Sequence, residues 1–298
     1  MNIDKERFLK LTEVLSPKGD LIYFSRLEGG VSCDVFLLEV KEGTKINKFV
    51  VRTEGLPTSE NTVETEFYLL KSISNKQVPT AEAFYFDNSC EILDKPFIVM
   101  SFLEGTIFEP KESEFSFLEI MAKQLIRIHQ TDIAYLPELP LRTDPLDGLI
   151  SYLPKESRWD ELSSLINGLN KEIFEGEKVF LHGDFWLGNL LWKDSLIVGI
   201  LDWEYAAIGD PLSDLASACL EVRYEVGIEG MEIFKHTYSN FLDIDEYRLS
   251  LWLIFVASST LHFIDEWKLP NKRKKKMIKE ATITIEEEFN KIKKPYLN

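Results

Sequence analysis

Asp184, Asn189 and Asp202 are the residues whose types and spacing could do chemistry. The first two stand five apart in the glycine-containing stretch His182-Gly183-Asp184-Phe185-Trp186-Leu187-Gly188-Asn189, and Asp202 follows the apolar run 190–201. Folding that run into a hairpin about Lys193-Asp194-Ser195 sets Asn189 opposite residue 199 or 200. Asp202 then falls within two or three residues of it, at one end of the hairpin. Three oxygen-donor side chains converge there. A small number of hard oxygen ligands suits Mg2+, which keeps several waters and takes its other ligands from phosphate.

An Asp, an Asn five residues on and a second Asp beyond a hairpin is the arrangement that kinases use for phosphoryl transfer. The segments HGDFWLGNLLW (182–192), ILDWE (200–204) and GDPLSDLA (209–216) strongly resemble the aminoglycoside phosphotransferase and choline kinase-like family, which has a protein-kinase-like fold. The resemblance covers roughly 23–220 and is most specific in 181–216. It implies that Asp184 is the catalytic base and that Asn189 and Asp202 hold Mg2+. It also gives His182 the task of holding the loop, and by analogy with kinases it makes Asp214 an anchor for loop N–H groups. Gly183–Gly188 has the spacing of a Walker A motif, but Asn189-Leu190 stands where Lys-[Ser/Thr] is required, so a P-loop is excluded.

A kinase also needs a basic residue on a strand and a helical Glu to pair with it. Arg52 ends the strand candidate 48–53. On the helix expected over 61–73, Val63, Phe67, Leu69, Leu70 and Ile73 fill one arc, and Glu66 points into its middle while Glu64 points outside it. A carboxylate on an apolar face needs a partner, and Arg52 is the natural one. Protein kinases carry Lys there. Arg resembles the phosphotransferase pattern and can bridge phosphate and carboxylate bidentately. The turn Glu28-Gly29-Gly30-Val31-Ser32 is the candidate phosphate-covering loop, with Gly29, Gly30 and Ser32 as its nucleotide-binding residues. The connection 100–105, through Ser101 and Leu103, is expected to face the base of ATP or GTP, as it does in family members.

The acceptor's hydroxyl must lie near Asp184. Resemblance puts the acceptor between the catalytic loop and the later helices, with Trp186, Glu204, Glu221 and Tyr224 as wall candidates. Carboxylates with aromatics suit an ammonium-bearing acceptor. His129, His236 and His262 lack metal-ligand spacing and read as packing or surface residues. The basic run 272–276 reads as a solvated helix face.

The elements that must position these residues follow from periodicity. A helix within 1–20, strands over 21–27, 33–40 and 48–53, the helix 61–73, and strands 81–87 and 97–102 make an antiparallel sheet with one packed helix. Helical patterns follow in 117–129, 156–175, 211–225, 228–241, 245–266 and 272–294, interrupted by the hairpin 190–201. The expectation is an α+β chain of bilobal protein-kinase-like fold, with a nucleotide lobe over 1–102 and a catalytic and acceptor lobe over 103–298.

The 298 residues are ordinary in composition, with 45% hydrophobic and 28% charged, which excludes collagen-like, disordered and disulfide-scaffold classes. A net charge of −16 argues against nucleic acid or anionic membranes as partners and tilts toward cationic acceptors. Cys33, Cys90 and Cys219 show no CxxC spacing and read as reduced thiols. The opening MNIDKERFLK has no apolar h-region, and no run approaches the ~20 residues of a membrane span, so a cytoplasmic protein is expected. The expected function is Mg2+-dependent transfer of the γ-phosphoryl group of ATP or GTP to a small-molecule hydroxyl, with an aminoglycoside or other cationic acceptor in view. The alternative is a silent pseudokinase that binds nucleotide or a partner protein. A protein kinase is disfavoured because Asp202-Trp203-Glu204 runs almost directly into GDPLSDLA, leaving little room for an activation segment.

Overall fold

Alternation along the first hundred residues yields strands with two different faces, and that difference decides where the chemistry sits. A computed structural model describes residues 3–27, 33–55, 60–74, 78–111, 114–169, 171–267 and 269–293. In chain order they form α1 (Ile3–Leu15), β1 (Asp20–Arg26), β2 (Val35–Glu42), β3 (Lys45–Thr53), α2 (Val63–Ile73), β4 (Ala83–Asp87), β5 (Phe97–Ser101) and the two-residue β6 (Thr106–Ile107). There follow α3 (Ser116–His129), β7 (Leu141–Arg142), α4 (Leu149–Tyr152), α5 (Asp160–Gly168), β8 (Val179–Leu181), β9 (Leu190–Lys193), β10 (Leu196–Ile200) and β11 (Ala207–Gly209). Three long helices end the chain: α6 (Pro211–Ser239), α7 (Glu246–Phe263) and α8 (Asn271–Ile292). The expected glycine loop with Gly29, Gly30 and Ser32 lies outside the described residues.

The chain divides into two units. The first comprises Met1–Thr106, Ala134–Pro140 and Leu190–Tyr205. Its sheet runs β1-β2-β3-β5-β4, antiparallel throughout. Phe49 and Val51 of β3 point into a core with Phe8 and Leu11 of α1, together with Phe97 and Val99 of β5. Val50 and Arg52 therefore point to the other face, because strand side chains alternate. Helix α2 packs on β4 and β5. Thr62 caps it by accepting from Thr65 N–H (3.2 Å), and Val63, Leu69, Leu70 and Ile73 are buried together with Glu66. The hairpin β9–β10 pairs Leu190 with Ile200 and turns through Asp194 and Ser195 at φ +50° and +62°, close to the expected register. It belongs with the sheet, whereas the sequence reading grouped it with the helices: Ile200 N–H donates to Pro79 O at 2.8 Å, a long-range tie that periodicity does not reveal.

The second unit comprises Ile107–Ile133, Leu141–Asn189 and Ala206–Asn298. Leu251, Ile254 and Ala257 of α7 and Met277, Ala281 and Ile285 of α8 share one core with Leu149, Trp159 and Leu162. Helix α6 is read from sequence as two helices, and the reason is visible: Gly227 takes φ +84°, ψ −175° inside it. Its N-terminus is fixed by Asp210, which accepts from Leu212 N–H (2.9 Å) and from Trp252 Nε1–H (2.6 Å) and pairs with Arg248. Arg248 also donates to the carbonyls of Glu172 and Thr143, both at 2.7 Å. A small sheet, β7-β11-β8, joins β11 antiparallel to β8 and parallel to β7. Strand β8 runs straight into His182, so this sheet positions the loop 182–189.

Candidate active site

In the first unit Arg52 is the centre of a buried charge cluster. Its guanidinium pairs with Glu66 of α2, approaches Glu204 at 3.5 Å and lies 4.0 Å from Asp202 and from the Cys33 thiol. The side chains of Arg52, Glu66 and Glu204 are 11%, 3% and 6% exposed, so the pairing predicted for Arg52 and Glu66 is desolvated. Removing one partner of such a pair costs about 3–5 kcal/mol. Asn61 anchors the far side of the cluster by donating from Nδ2 to the carbonyls of Trp203 (3.4 Å) and Glu204 (3.2 Å), and from its backbone N–H to Glu204 O (3.0 Å). Asp202 itself takes a left-handed backbone, φ +64°.

Glu204, an expected acceptor-wall residue, is therefore found beside Arg52 within the sheet unit, because a buried carboxylate needs the cation there. Ser101 is committed to Glu82, just ahead of β4: its hydroxyl accepts from Glu82 N–H at 2.9 Å and its N–H donates to Glu82 O at 2.8 Å. Leu103 packs over Gly199 of the hairpin.

In the second unit one carboxylate gathers the loop. Asp214, fully buried on α6, accepts the N–H of His182 on Oδ2 (2.7 Å) and the N–H of Gly183 on Oδ1 (2.9 Å). Gly183 sits at φ +84°, the backbone that lets two consecutive N–H groups turn toward one carboxylate. Burial works to raise the Asp214 pKa, but the hydrogen bond from His129 and the positive charge of Arg142 hold it below the usual carboxylate range. The tautomer of His129 that satisfies both partners has Tyr238 O–H donating to Nδ1 (2.6 Å) and Nε2–H donating to Asp214 (3.3 Å). Burial raises the Tyr238 pKa, which keeps that hydroxyl a donor.

The loop residues then present Asp184. His182 accepts Asp184 N–H on Nδ1 (3.2 Å). Asn189 donates from Nδ2 to both the carbonyl and Oδ2 of Asp184 (2.9 Å each), and Trp186 Nε1–H donates to the same Oδ2 (3.3 Å). Arg142 caps Gly183 O at 3.3 Å. Gly188 lies under the Trp186 ring so closely that a Cβ would sit 2.1 Å from it. A carboxylate held by two neutral donors on one oxygen is oriented without being neutralised, as a proton acceptor must be.

Beside this loop, Arg273 of α8 stacks 5.2 Å from the Trp186 ring centre and reaches Glu225 at 2.9 Å and Glu221 at 3.8 Å. The Glu221 side chain is 21% exposed. Burial, then the charge of Asp184, push its pKa up to about 8, against the opposing pull of Arg273. Tyr224, the other expected wall residue on α6, is buried in the helical core, where its hydroxyl donates to Thr260 Oγ1 (3.2 Å). His129, Arg142 and Arg273 carry no sequence signal for these roles. The expectation that 272–276 is simply a solvated face fails at Arg273.

Residues 24–251 match the family model described as the phosphotransferase enzyme family. The fold is shared with a thermostable mutant of aminoglycoside phosphotransferase APH(4)-Ia in ternary complex with AMP-PNP and hygromycin B: TM-score 0.65, 14% identity, 93% of this chain and 97% of that one. It is shared equally with choline kinase LicA from Streptococcus pneumoniae: TM-score 0.63, 16% identity, 96% of this chain and 100% of that one. By sequence, acyl-CoA dehydrogenase family member 10 of Mus musculus is 29% identical over 181 residues, covering 54% of this chain and 17% of that protein. The chain spans 17–30% of the length of the acyl-CoA dehydrogenase relatives it matches. No helix among the described residues is long and apolar enough to cross a membrane. With the family model covering most of the chain and the same fold found in two small-molecule kinases, the protein belongs to the phosphotransferase enzyme family, of protein-kinase-like fold.

Proposed function

We propose that the protein transfers the γ-phosphoryl group of ATP or GTP to a hydroxyl of a small molecule, with aminoglycosides and other cationic compounds the first acceptor class to consider. The observation that carries this reading is the loop about Asp184: a carboxylate fixed by Asn189, Trp186 and His182 on a loop that Asp214 anchors through two backbone N–H groups. In that reading Asp184 orients the acceptor hydroxyl and takes its proton. Arg52, held by Glu66, neutralises phosphate charge.

Among the described residues no group of three or more His, Cys, Asp and Glu forms a metal cage. The Asn189 amide nitrogen is spent on Asp184, which leaves its oxygen as the donor-set atom, and Asp202 supplies a carboxylate. These two residues would hold Mg2+, which when bound screens the phosphate oxygens. Asp184, Arg52 and the loop groups do the positioning.

The test is a coupled phosphoryl-transfer assay with ATP and GTP offered separately, Mg2+ present or chelated, against a panel of aminoglycosides, amino alcohols, amino acids and sugars. Mg2+-dependent turnover on one class supports the proposal. Nucleotide binding without turnover on any acceptor, in the presence of Mg2+, would favour the pseudokinase alternative.

A further inference from the structure

The cluster of Trp186, Glu221, Glu225 and Arg273 has the composition of a cation seat that is already filled. An aromatic face flanked by carboxylates attracts an ammonium through the ring quadrupole and through charge. Here the face belongs to Trp186, the carboxylate is Glu225, and the Glu221 carboxyl, which burial keeps protonated up to about pH 8, stands one turn away on α6. The cation between them is Arg273 of the same chain, at 5.2 Å from the ring centre, 2.9 Å from Glu225 and 3.8 Å from Glu221. The seat adjoins the chemistry, because the same indole donates to Asp184 Oδ2 and Asp184 is felt electrostatically by Glu221.

Arg273 is not a fully satisfied occupant. Its Nε is buried without a hydrogen-bond partner, the Glu221 carboxyl lies beyond hydrogen-bond reach, and a third of its side chain (34%) borders solvent. An arginine built in for stability would have its fork paired. One that meets a single carboxylate and keeps an exit to solvent can be replaced by another cation at modest cost. We propose that Arg273 is a specificity-determining residue: it occupies the place that a cationic group of the acceptor would take, so such an acceptor binds only by displacing it. This rests on the reading that the acceptor lies beside Asp184.

The test uses tetramethylammonium as the cationic probe and tert-butanol as its neutral counterpart, at matched ionic strength. Binding to the full chain, without nucleotide, is followed by broadening of the probe's proton NMR signal. Arg273→Ala should bind tetramethylammonium about tenfold more tightly than the wild type, and Arg273→Gln, which keeps most of the stem, should show the same gain. Arg273→Lys, which returns a cation to the seat, should stay near the wild type, and none of the variants should change in tert-butanol binding. Circular dichroism establishes that each variant is folded; if Arg273→Ala is not, Arg273→Gln decides. Equal tetramethylammonium affinity of the folded neutral variants and the wild type, including no measurable binding to either, overturns the proposal. The titration needs no phosphoryl transfer, so it stands or falls separately from the activity reading.

Discussion

Replacing Glu221 by Gln should make the protein's stability less dependent on pH between 5 and 8. The wild-type carboxyl titrates near 8 in the folded protein against an ordinary value of 4.5, driven first by burial and then by the charge of Asp184. A folded pKa raised in this way favours the protonated form. Stability from this group is complete below about pH 4.5, where folded and unfolded chains both hold the proton. It is lost as pH rises toward 8, because the unfolded chain ionises freely while the folded one resists. With these two values the loss is about 2.5 kcal/mol between pH 5 and pH 7, and at most about 5 kcal/mol once both states are ionised. Gln cannot ionise and escapes it. For a chain of this size roughly 1 kcal/mol moves Tm by about 2 °C, so the variant should gain about 5 °C on the wild type between pH 5 and pH 7. Differential scanning calorimetry of both proteins across that range measures the gain. A Tm difference that is flat with pH would refute the reasoning, because it would mean that Glu221 ionises as an ordinary exposed carboxylate.

Glu66→Gln removes the carboxylate that holds Arg52 in a desolvated site. It should cost about 3 kcal/mol in urea denaturation and weaken nucleotide binding; a loss under about 1 kcal/mol would show that Glu204 alone suffices to pair Arg52. Asp214→Asn leaves one of the two loop N–H groups facing an amide NH2 instead of a carboxylate oxygen. It should lower stability by about 2 kcal/mol and reduce kcat at least about tenfold with little change in acceptor KM, and an unaltered kcat would remove Asp214 from the positioning of the loop.

Much of this architecture could be read from local pattern. The arc of α2 placed Glu66 inward because five apolar neighbours at helical spacing share its face, and the hairpin was legible in the polar Lys193-Asp194-Ser195 between two apolar runs. The small sheet β7-β11-β8 was not, since strands of two or three residues are too short to alternate visibly. Long-range polar contacts were equally hidden. His129 reaches Asp214 across 85 residues, and nothing near it in sequence distinguishes it from His236, which does not. Arg273 was masked by its lysine neighbours, all of which make a charged helix face plausible. The surroundings of Glu204 and Tyr224 were hidden for one reason: residue type suggests an acceptor wall, whereas the structure sets Glu204 beside Arg52 and Tyr224 in the helical core, contacts that lie far away in sequence. At Asp184, by contrast, type and spacing together left few other uses, and the structure surrounds it with donors.

The most direct test of the account is the turnover of Asp184→Asn beside the wild type, on whichever acceptor the panel identifies, with nucleotide binding measured on the same samples. Loss of the proton acceptor should lower kcat by about 10²–10⁴-fold while the nucleotide Kd changes little. Unchanged turnover in a folded, nucleotide-binding variant would contradict the assignment of Asp184 as the base.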